Sequence, residues 1–200
     1  MGKATRRNTR VTTNMSKGND SDVEDDTNDL IRRQGNKIYF FAEVSAENIL
    51  VLFKELEEVR QYCSTHGLNR IYLHIQSEGG CLFSGLNAME HISNLDIEVC
   101  GVVSGCVASA ATLMLLGCDY IQMYEYSFLL IHQLSTSIDF GRFNELKDEI
   151  NNSEKMNESL KKIYLRYTDL TKAKVDELFT KEMYMDSTEC LQYGIIDEII

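Results

Sequence analysis

Two glycines in a turn could hold a ligand oxygen on backbone N–H groups. The stretch Ser77–Gly80 reads Ser-Glu-Gly-Gly and lies between a predicted strand and a predicted helix. Paired glycines let the backbone approach a ligand closely, at the carboxyl edge of a parallel sheet where binding sites commonly lie. Taken alone, such a pair is more often only a turn.

A serine at the start of an apolar helix is a candidate nucleophile. Ser109 follows a predicted strand that ends at Val103; Gly105 precedes it, and small residues surround it. The positive end of the helix dipole would favour charge that develops there. A plain helix cap is the competing interpretation, and the absence of Gly-x-Ser-x-Gly argues against an ordinary α/β-hydrolase turn.

A histidine at a strand end could act as the base for that serine. His132 closes the apolar run Phe128–Ile131. Imidazole titrates near neutral pH and can accept a hydroxyl proton, although a lone histidine is more often a satisfied core residue. Only the combination of the glycine turn, the serine and the histidine predicts an acyl-transfer site.

The elements that must position these residues alternate between strands and helices. Apolar residues between Ile49 and Val59 recur at helical spacing, and Asp186-Ser-Thr-Glu189 has the form of a capping box. Strands are predicted at 38–41, 71–75, 97–103, 120–123, 128–131 and 195–200, and helices at 82–92, from Val103 through 116, at 143–166, after Thr171 and after Asp186. This alternation favours an α/β fold with a largely parallel sheet.

Length and charge predict one folded domain behind a polar tail. The 200 residues are 44% hydrophobic, enough for one core. Residues 1–34 carry a basic and then an acidic stretch, which predicts a disordered charged tail in preference to a targeting leader; residues 35–200 form the domain.

Composition excludes several classes of function. The net charge of -11 argues against a nucleic-acid binder, and no apolar stretch reaches the roughly 20 residues of a membrane helix. Six scattered cysteines without a Cys-x-x-Cys pair predict buried thiols in a reducing compartment, hence the cytoplasm, with organellar targeting left open. We expect no metal and no cofactor.

The ordered motifs resemble those of ClpP, the peptidase partner of AAA+ unfoldases. The resemblance covers about residues 37–200 and rests on Ile71–Gly80, Gly105–Ser109, Ile131–Gln133, Lys181–Tyr184 and Tyr193–Asp197. It implies a ClpP/crotonase-like fold of repeated β-β-α units with a largely parallel sheet and a protruding handle made of a helix and a strand.

The resemblance also implies roles for single residues. Ser109 falls at the nucleophile, His132 at the general base, and the N–H groups of Gly80 and Ala110 at the oxyanion hole. The family's third catalytic residue is an aspartate, and Glu182 stands in its place, with Asp176 and Asp186 as spare candidates. The substrate backbone would be flanked by Gly79, Cys81 and Leu134.

The implied assembly is a barrel of two stacked seven-membered rings that cleaves unfolded polypeptides and short peptides and works with an AAA+ unfoldase. Four positions depart from the family. Glu78 and Leu134 replace prolines, Lys181 replaces an arginine used between rings, and His74 replaces an aromatic residue of the unfoldase-docking surface.

Three functions stay open at this point. The first is a serine endopeptidase that forms an acyl-enzyme on Ser109. The second is a weak or inactive structural subunit, which the replacement of aspartate by Glu182 favours. The third is a crotonase-type acyl-CoA enzyme, against which the presence of both Ser109 and His132 counts.

Overall fold

The structure, a computed structural model, describes residues 30–135 and 142–200. In chain order its strands are β1 Ile31–Gln34, β2 Lys37–Phe40, β3 Arg70–Ser77, β4 Glu98–Ala108, β5 Tyr120–Met123, β6 Phe128–Leu130 and β7 Glu198–Ile199. Its helices are α1 Ala46–His66, α2 Leu82–Ser93, α3 Ala110–Leu116, α4 Phe143–Tyr167, α5 Lys172–Thr180 and α6 Ser187–Gln192.

The described strands form one largely parallel sheet. Its order is β1-β2-β3-β4-β5-β7, and β6 pairs with β4 outside that path. Only the β1–β2 pair is antiparallel among these ladders. Parallel neighbours need crossover connections, which α1 and α2 supply. The α/β class and the parallel sheet predicted from the alternating pattern are confirmed.

Strand β4 changes partner halfway along its length. Its first half pairs with β5 from Cys100 to Val103, and its second half pairs with β6 from Cys106 to Ala108. The sequence prediction that the strand stops at Val103 and a helix follows was therefore wrong. Residues 106–108 gain ladder hydrogen bonds to β6 that a helix would forgo, and α3 begins only at Ala110.

The core lies where the helices cover the central strands. Ile71, Leu73 and Ile75 alternate along β3 and have no exposed surface, so one face of this strand is fully covered, while Gln76 on the opposite face is exposed. Every residue of α3 is buried, although the helix is only seven residues long. Packing therefore stabilises α3, because an isolated helix of this length is unstable in water.

The first strand lies in a segment that the sequence assigned to the tail. β1 pairs with β2, Ile31 is buried, and Arg33 forms ion pairs with Glu55 and Glu58 of α1 at 3.4 and 2.8 Å. The tail prediction for residues 1–29 lies outside the described residues.

Two features of the C-terminal half match their sequence signals. Asp186 caps α6 in a capping box with Glu189, as predicted, whereas the final strand is only the two residues of β7. Helix α4 matches the predicted long helix. The strand of the expected handle falls mostly on residues 136–141, which lie outside the described residues. Within the described ranges, no helix is both long and apolar enough to cross a bilayer.

Close packing between α2 and α3 gives a stability prediction. A Cβ added at Gly85 would lie 2.6 Å from the Ala110 carbonyl oxygen. This oxygen is a backbone atom, so relieving the clash would require a shift of the helix. Helix propensity alone would make Gly85→Ala stabilising, whereas overpacking should destabilise it by about 1–3 kcal/mol. Urea denaturation measures the difference. Asn87→Ala, on the exposed side of the same helix, is the control and should be neutral or slightly stabilising; a stabilised Gly85→Ala would contradict the close packing.

Candidate active site

Three chain segments meet at one edge of the sheet because their strands run parallel. β3 leads into Glu78–Gly80, β4 leads into Ser109, and β6 leads through Ile131 to His132. β3 and β6 both pair with β4 in parallel, so all three strands end at the same edge. The topology thereby gathers the glycine turn, the serine and the histidine that the sequence singled out.

These residues line one small cleft of about 80 Å³. Gly80, Ser109, Ala110 and His132 all contribute to its surface. The rest of the lining is mostly apolar and comes from Leu82, Leu113, Gln133, Leu134, Ser135, Leu160 and Tyr164. The serine and the histidine thus face the same space. Among the described residues neither side chain has a hydrogen-bond partner, so the serine and the histidine share the cleft without a hydrogen bond to each other.

Ser109 has an unusual backbone conformation. Its φ of 55° and ψ of -130° make it the only non-glycine residue with positive φ in the described parts of the chain. Such a conformation costs about 1–3 kcal/mol and persists only where surrounding contacts enforce it. One such contact is the hydrogen bond that its N–H donates to the Leu130 carbonyl at 2.9 Å. The strained strand-to-helix turn resembles that of a nucleophile elbow, although the Gly-x-Ser-x-Gly pattern is absent.

Gly79 makes room for that turn. A Cβ at this position would lie 2.6 Å from the Cβ of Ser109 and 2.8 Å from the Ala108 carbonyl oxygen. Its own backbone groups are engaged: the N–H donates to Ser77 Oγ at 3.2 Å, and the carbonyl accepts from the Val44 N–H at 2.8 Å. The family resemblance predicts that Gly79 flanks the substrate, and in the structure Gly79 packs against Ser109 and supports it.

Two backbone N–H groups at the cleft are free to bind an anion. Val44 bonds to Gly79 and Cys81 on either side of Gly80, so the N–H of Gly80 points away from Val44. The N–H of Ala110 opens α3 and has no acceptor among the described residues. Both residues line the cleft beside Ser109, as an oxyanion hole requires.

The segment after His132 is tied to helix α4. The Leu134 N–H donates to Asn157 Oδ1 at 2.8 Å. His132 is half-buried, and Gln133 beside it is exposed. Asn157 was not among the residues predicted from the sequence, where its only signal is a polar residue in the half-buried stripe of α4. Its side chain fixes the segment that would flank a substrate.

Glu182 is not part of the cleft that holds the histidine. It is exposed, it is absent from the lining of the cleft, and it forms no hydrogen bond or ion pair within the described ranges. Its neighbour Met185 pairs antiparallel with Leu129 of β6 through hydrogen bonds of 2.9 and 2.8 Å. Extending that pairing by three residues would set Glu182 opposite His132.

The two spare carboxylates have other partners. Asp186 accepts the Glu189 N–H at 2.9 Å as the cap of α6. Asp176 forms an ion pair with Lys161 at 2.8 Å, which lowers the pKa of that carboxyl below its usual value. Both groups already have structural roles, so neither is as available to the imidazole as Glu182.

Two thiols close in sequence to the candidate site residues differ in acidity. Hydrogen bonds from the side chain and backbone of Ser84 lower the pKa of the exposed Cys81 thiol below its usual value. Burial raises the pKa of the Cys106 thiol, and the Glu78 carboxylate raises it further. Cys81 is therefore the more reactive thiol, and probing of the site requires a serine-selective reagent. The backbone N–H of Cys81 donates to Val44.

Known proteins of similar sequence are Clp protease subunits. The chain is 25% identical over 133 residues to the ATP-dependent Clp protease proteolytic subunit of Oryza sativa subsp. indica, which covers 66% of this chain and 62% of that protein. It is 26% identical over 129 residues to the subunit of Daucus carota, covering 64% of this chain and 66% of that protein. The chain thus spans just under two thirds of the length of these relatives.

A solved structure and a family model also match this chain. An Asn-to-Asp mutant of ClpP1 from Listeria monocytogenes has the same fold, with a TM-score of 0.68, 22% identity and coverage of 79% of this chain and 86% of that one. The Clp protease family model matches residues 63–200. Since that match spans well over half of the sequence, the chain belongs to the Clp protease family.

Proposed function

We propose that this chain is a serine endopeptidase subunit that cleaves polypeptides through an acyl-enzyme on Ser109. One observation carries the proposal: Ser109, His132 and the free N–H groups of Gly80 and Ala110 line a single cleft. A nucleophile, a base and a pair of oxyanion donors are the minimum set for acyl transfer. Membership of the Clp protease family argues against the acyl-CoA alternative.

The reaction would proceed in two steps, acylation of Ser109 and then deacylation by water. His132 accepts the Ser109 proton as the oxygen attacks the peptide carbonyl, and Gly80 and Ala110 donate hydrogen bonds to the resulting oxyanion. The intermediate collapses, the carbon–nitrogen bond breaks, and the imidazolium gives its proton to the leaving amine. Water then attacks the ester with His132 again as base, which releases the acid and restores Ser109.

The substrate would bind as an extended chain between the glycine turn and the segment after His132. Apolar walls from Leu82, Leu113 and Leu160 suit an aliphatic side chain of a peptide. Backbone pairing is tolerant of sequence, so unfolded polypeptides and short peptides are the proposed substrate class. Gly79, Cys81 and Leu134 would shape this groove through the internal hydrogen bonds of their backbones.

The proposed assembly is a ring, with two stacked heptamers enclosing the sites and an AAA+ unfoldase as partner. Two of the positions that depart from the family bear on these contacts. Lys181 is exposed and already paired with Glu177 of its own chain at 3.1 Å, whereas His74 is buried and stacks on Tyr39 with ring centroids 4.8 Å apart. All six cysteines are free thiols, which fits the proposed reducing, cytoplasmic compartment.

A catalytically weak or inactive structural subunit is the second candidate function. It is favoured by Glu182, which is exposed and holds no hydrogen bond to the imidazole in the described structure. Without a carboxylate partner, the imidazole would lack the group that orients it and stabilises its cation. Such a subunit would keep the family's assembly surfaces and lack turnover.

Labelling with a fluorophosphonate tests the first proposal directly. The assembled wild type should form a covalent adduct, and Ser109→Ala should not, because the reagent needs an activated serine. Ser135→Ala is the matched control, since this second serine lines the same cleft and should leave labelling intact. Mass spectrometry of the modified peptide identifies the residue. Failure of the assembled wild type to react would favour the inactive structural subunit.

Replacement of Glu182 tests the third catalytic residue. Glu182→Gln should lower kcat by about a hundredfold or more, because the imidazolium loses its negative partner. Asp176→Asn removes a comparable exposed carboxylate that pairs with Lys161, so its kcat should stay near that of the wild type. Steady-state cleavage of a fluorogenic peptide measures both. An unchanged kcat in Glu182→Gln would exclude this residue from the mechanism.

The mass in solution tests the ring. Multi-angle light scattering should give seven or fourteen times the 22.9 kDa mass of the chain. Exposed apolar side chains such as Phe83 and Tyr126 would then be available to subunit contacts. A monomer at micromolar concentration would contradict the barrel, whatever the labelling experiment shows.

A further inference from the structure

A buried chain of hydrogen bonds leads from helix α4 to the candidate nucleophile. The Tyr164 hydroxyl lies 2.7 Å from Thr112 Oγ1, and Thr112 Oγ1 lies 2.6 Å from the carbonyl oxygen of Ser109. Tyr164 is 3% exposed and Thr112 is 2% exposed. Because water is largely excluded from both groups, these hydrogen bonds meet little competition.

The direction of the chain follows from the number of hydrogens. A carbonyl oxygen can only accept, so the single hydroxyl hydrogen of Thr112 is donated to Ser109. Tyr164 must then be the donor to Thr112 Oγ1. Burial raises the pKa of Tyr164 to about 12, so its hydroxyl keeps the proton it donates across the neutral range.

The end of this chain acts on the oxyanion hole. The Ser109 carbonyl and the Ala110 N–H belong to the same trans peptide group, so they point in opposite directions. The Thr112 N–H, at 3.0 Å, and Thr112 Oγ1 both donate to this carbonyl and hold it toward α3, so the Ala110 N–H is turned toward the cleft. The hydrogen bond from Oγ1 also polarises the peptide, and a polarised peptide is a stronger N–H donor.

The donor end is held in place by its own surroundings. The Tyr164 ring packs edge-on against Phe179 of α5, with ring centroids 6.0 Å apart. Its backbone carbonyl accepts two hydrogen bonds from Thr168, from the N–H at 3.1 Å and from Oγ1 at 2.7 Å. Because these contacts hold Tyr164, its hydroxyl can hold Thr112 Oγ1 in place. Thr112 Oγ1 can then hold the peptide group between Ser109 and Ala110.

We propose that Thr112 and Tyr164 are positioning residues for the oxyanion hole, which they orient and polarise through the peptide that joins Ser109 to Ala110. The inference rests on the proposed acyl-transfer function. Neither residue touches the reacting atoms in this role. Their effect is on how strongly the Ala110 N–H binds the oxyanion, so they should influence kcat and leave substrate binding unchanged.

The double variant Thr112→Val with Tyr164→Phe is the test. It removes both polar groups while keeping their shapes, so no buried hydroxyl is left without a partner and the fold should survive. We expect the rate of fluorophosphonate labelling and kcat for a peptide to fall by about fivefold to fiftyfold, with KM within about twofold. This range lies between loss of an ordinary neutral hydrogen bond and loss of an entire oxyanion donor.

Three single variants complete the design. Thr112→Ser keeps the hydroxyl and should retain activity within about twofold of the wild type. Thr112→Val alone leaves the buried Tyr164 hydroxyl without an acceptor, and its Tm should fall by roughly 5 °C and recover in the double variant. Tyr167→Phe, an exposed tyrosine on the same helix, should leave the labelling rate unchanged.

The outcomes separate this inference from the function on which it rests. If the assembled wild type is not labelled at all, the acyl-transfer proposal fails before the variants matter. If the wild type reacts and the double variant reacts equally fast, the positioning role is wrong. An equal loss in Thr112→Ser would also overturn it, because that variant keeps the hydrogen bond and changes only the packing of a methyl group.

Discussion

The reversal of the chain at Ser109 is the constraint on which the rest of the site depends. The backbone there adopts a φ of 55°, which residues other than glycine rarely adopt. Contacts from three directions enforce it. The Leu130 carbonyl accepts its N–H, Thr112 donates to its carbonyl, and Gly79 leaves space against its Cβ. The strained turn projects the hydroxyl and the Ala110 N–H into one cleft.

The sheet supplies these contacts because of how β4 is shared. Its second half leaves β5 and pairs with β6, which brings the end of β6 beside the turn. The same pairing delivers both the Leu130 carbonyl and, two residues later, His132. Helix α4 then closes the arrangement from outside the sheet. Asn157 holds the segment after His132, and Tyr164 holds Thr112. One helix thus supports both the proposed base and the proposed oxyanion hole.

Much of this fold could be predicted from the local pattern of residues. The spacing of apolar residues located α1, α2 and β3, and the Asp186–Glu189 capping box located α6, since these signals arise within a few residues of one another. The boundary of β4 was missed. Residues 106–108 read as the start of a helix, and they become strand only because β6, about twenty residues away, offers ladder partners. Local pattern carries no information about such a distant partner.

The sequence by itself determined the residue types of the site and their order along the chain: a glycine pair, a serine and a histidine, each next to the end of an apolar run. Only the tertiary structure decided how they work together. It showed that Gly79 supports Ser109, that the N–H groups of Gly80 and Ala110 have no acceptor within residues 30–135 and 142–200, that Asn157 and Tyr164 reach the site from α4, and that Glu182 lies outside the cleft. The physical reason is that hydrogen bonds and close contacts depend on distances between atoms, and these are set when remote segments pack together.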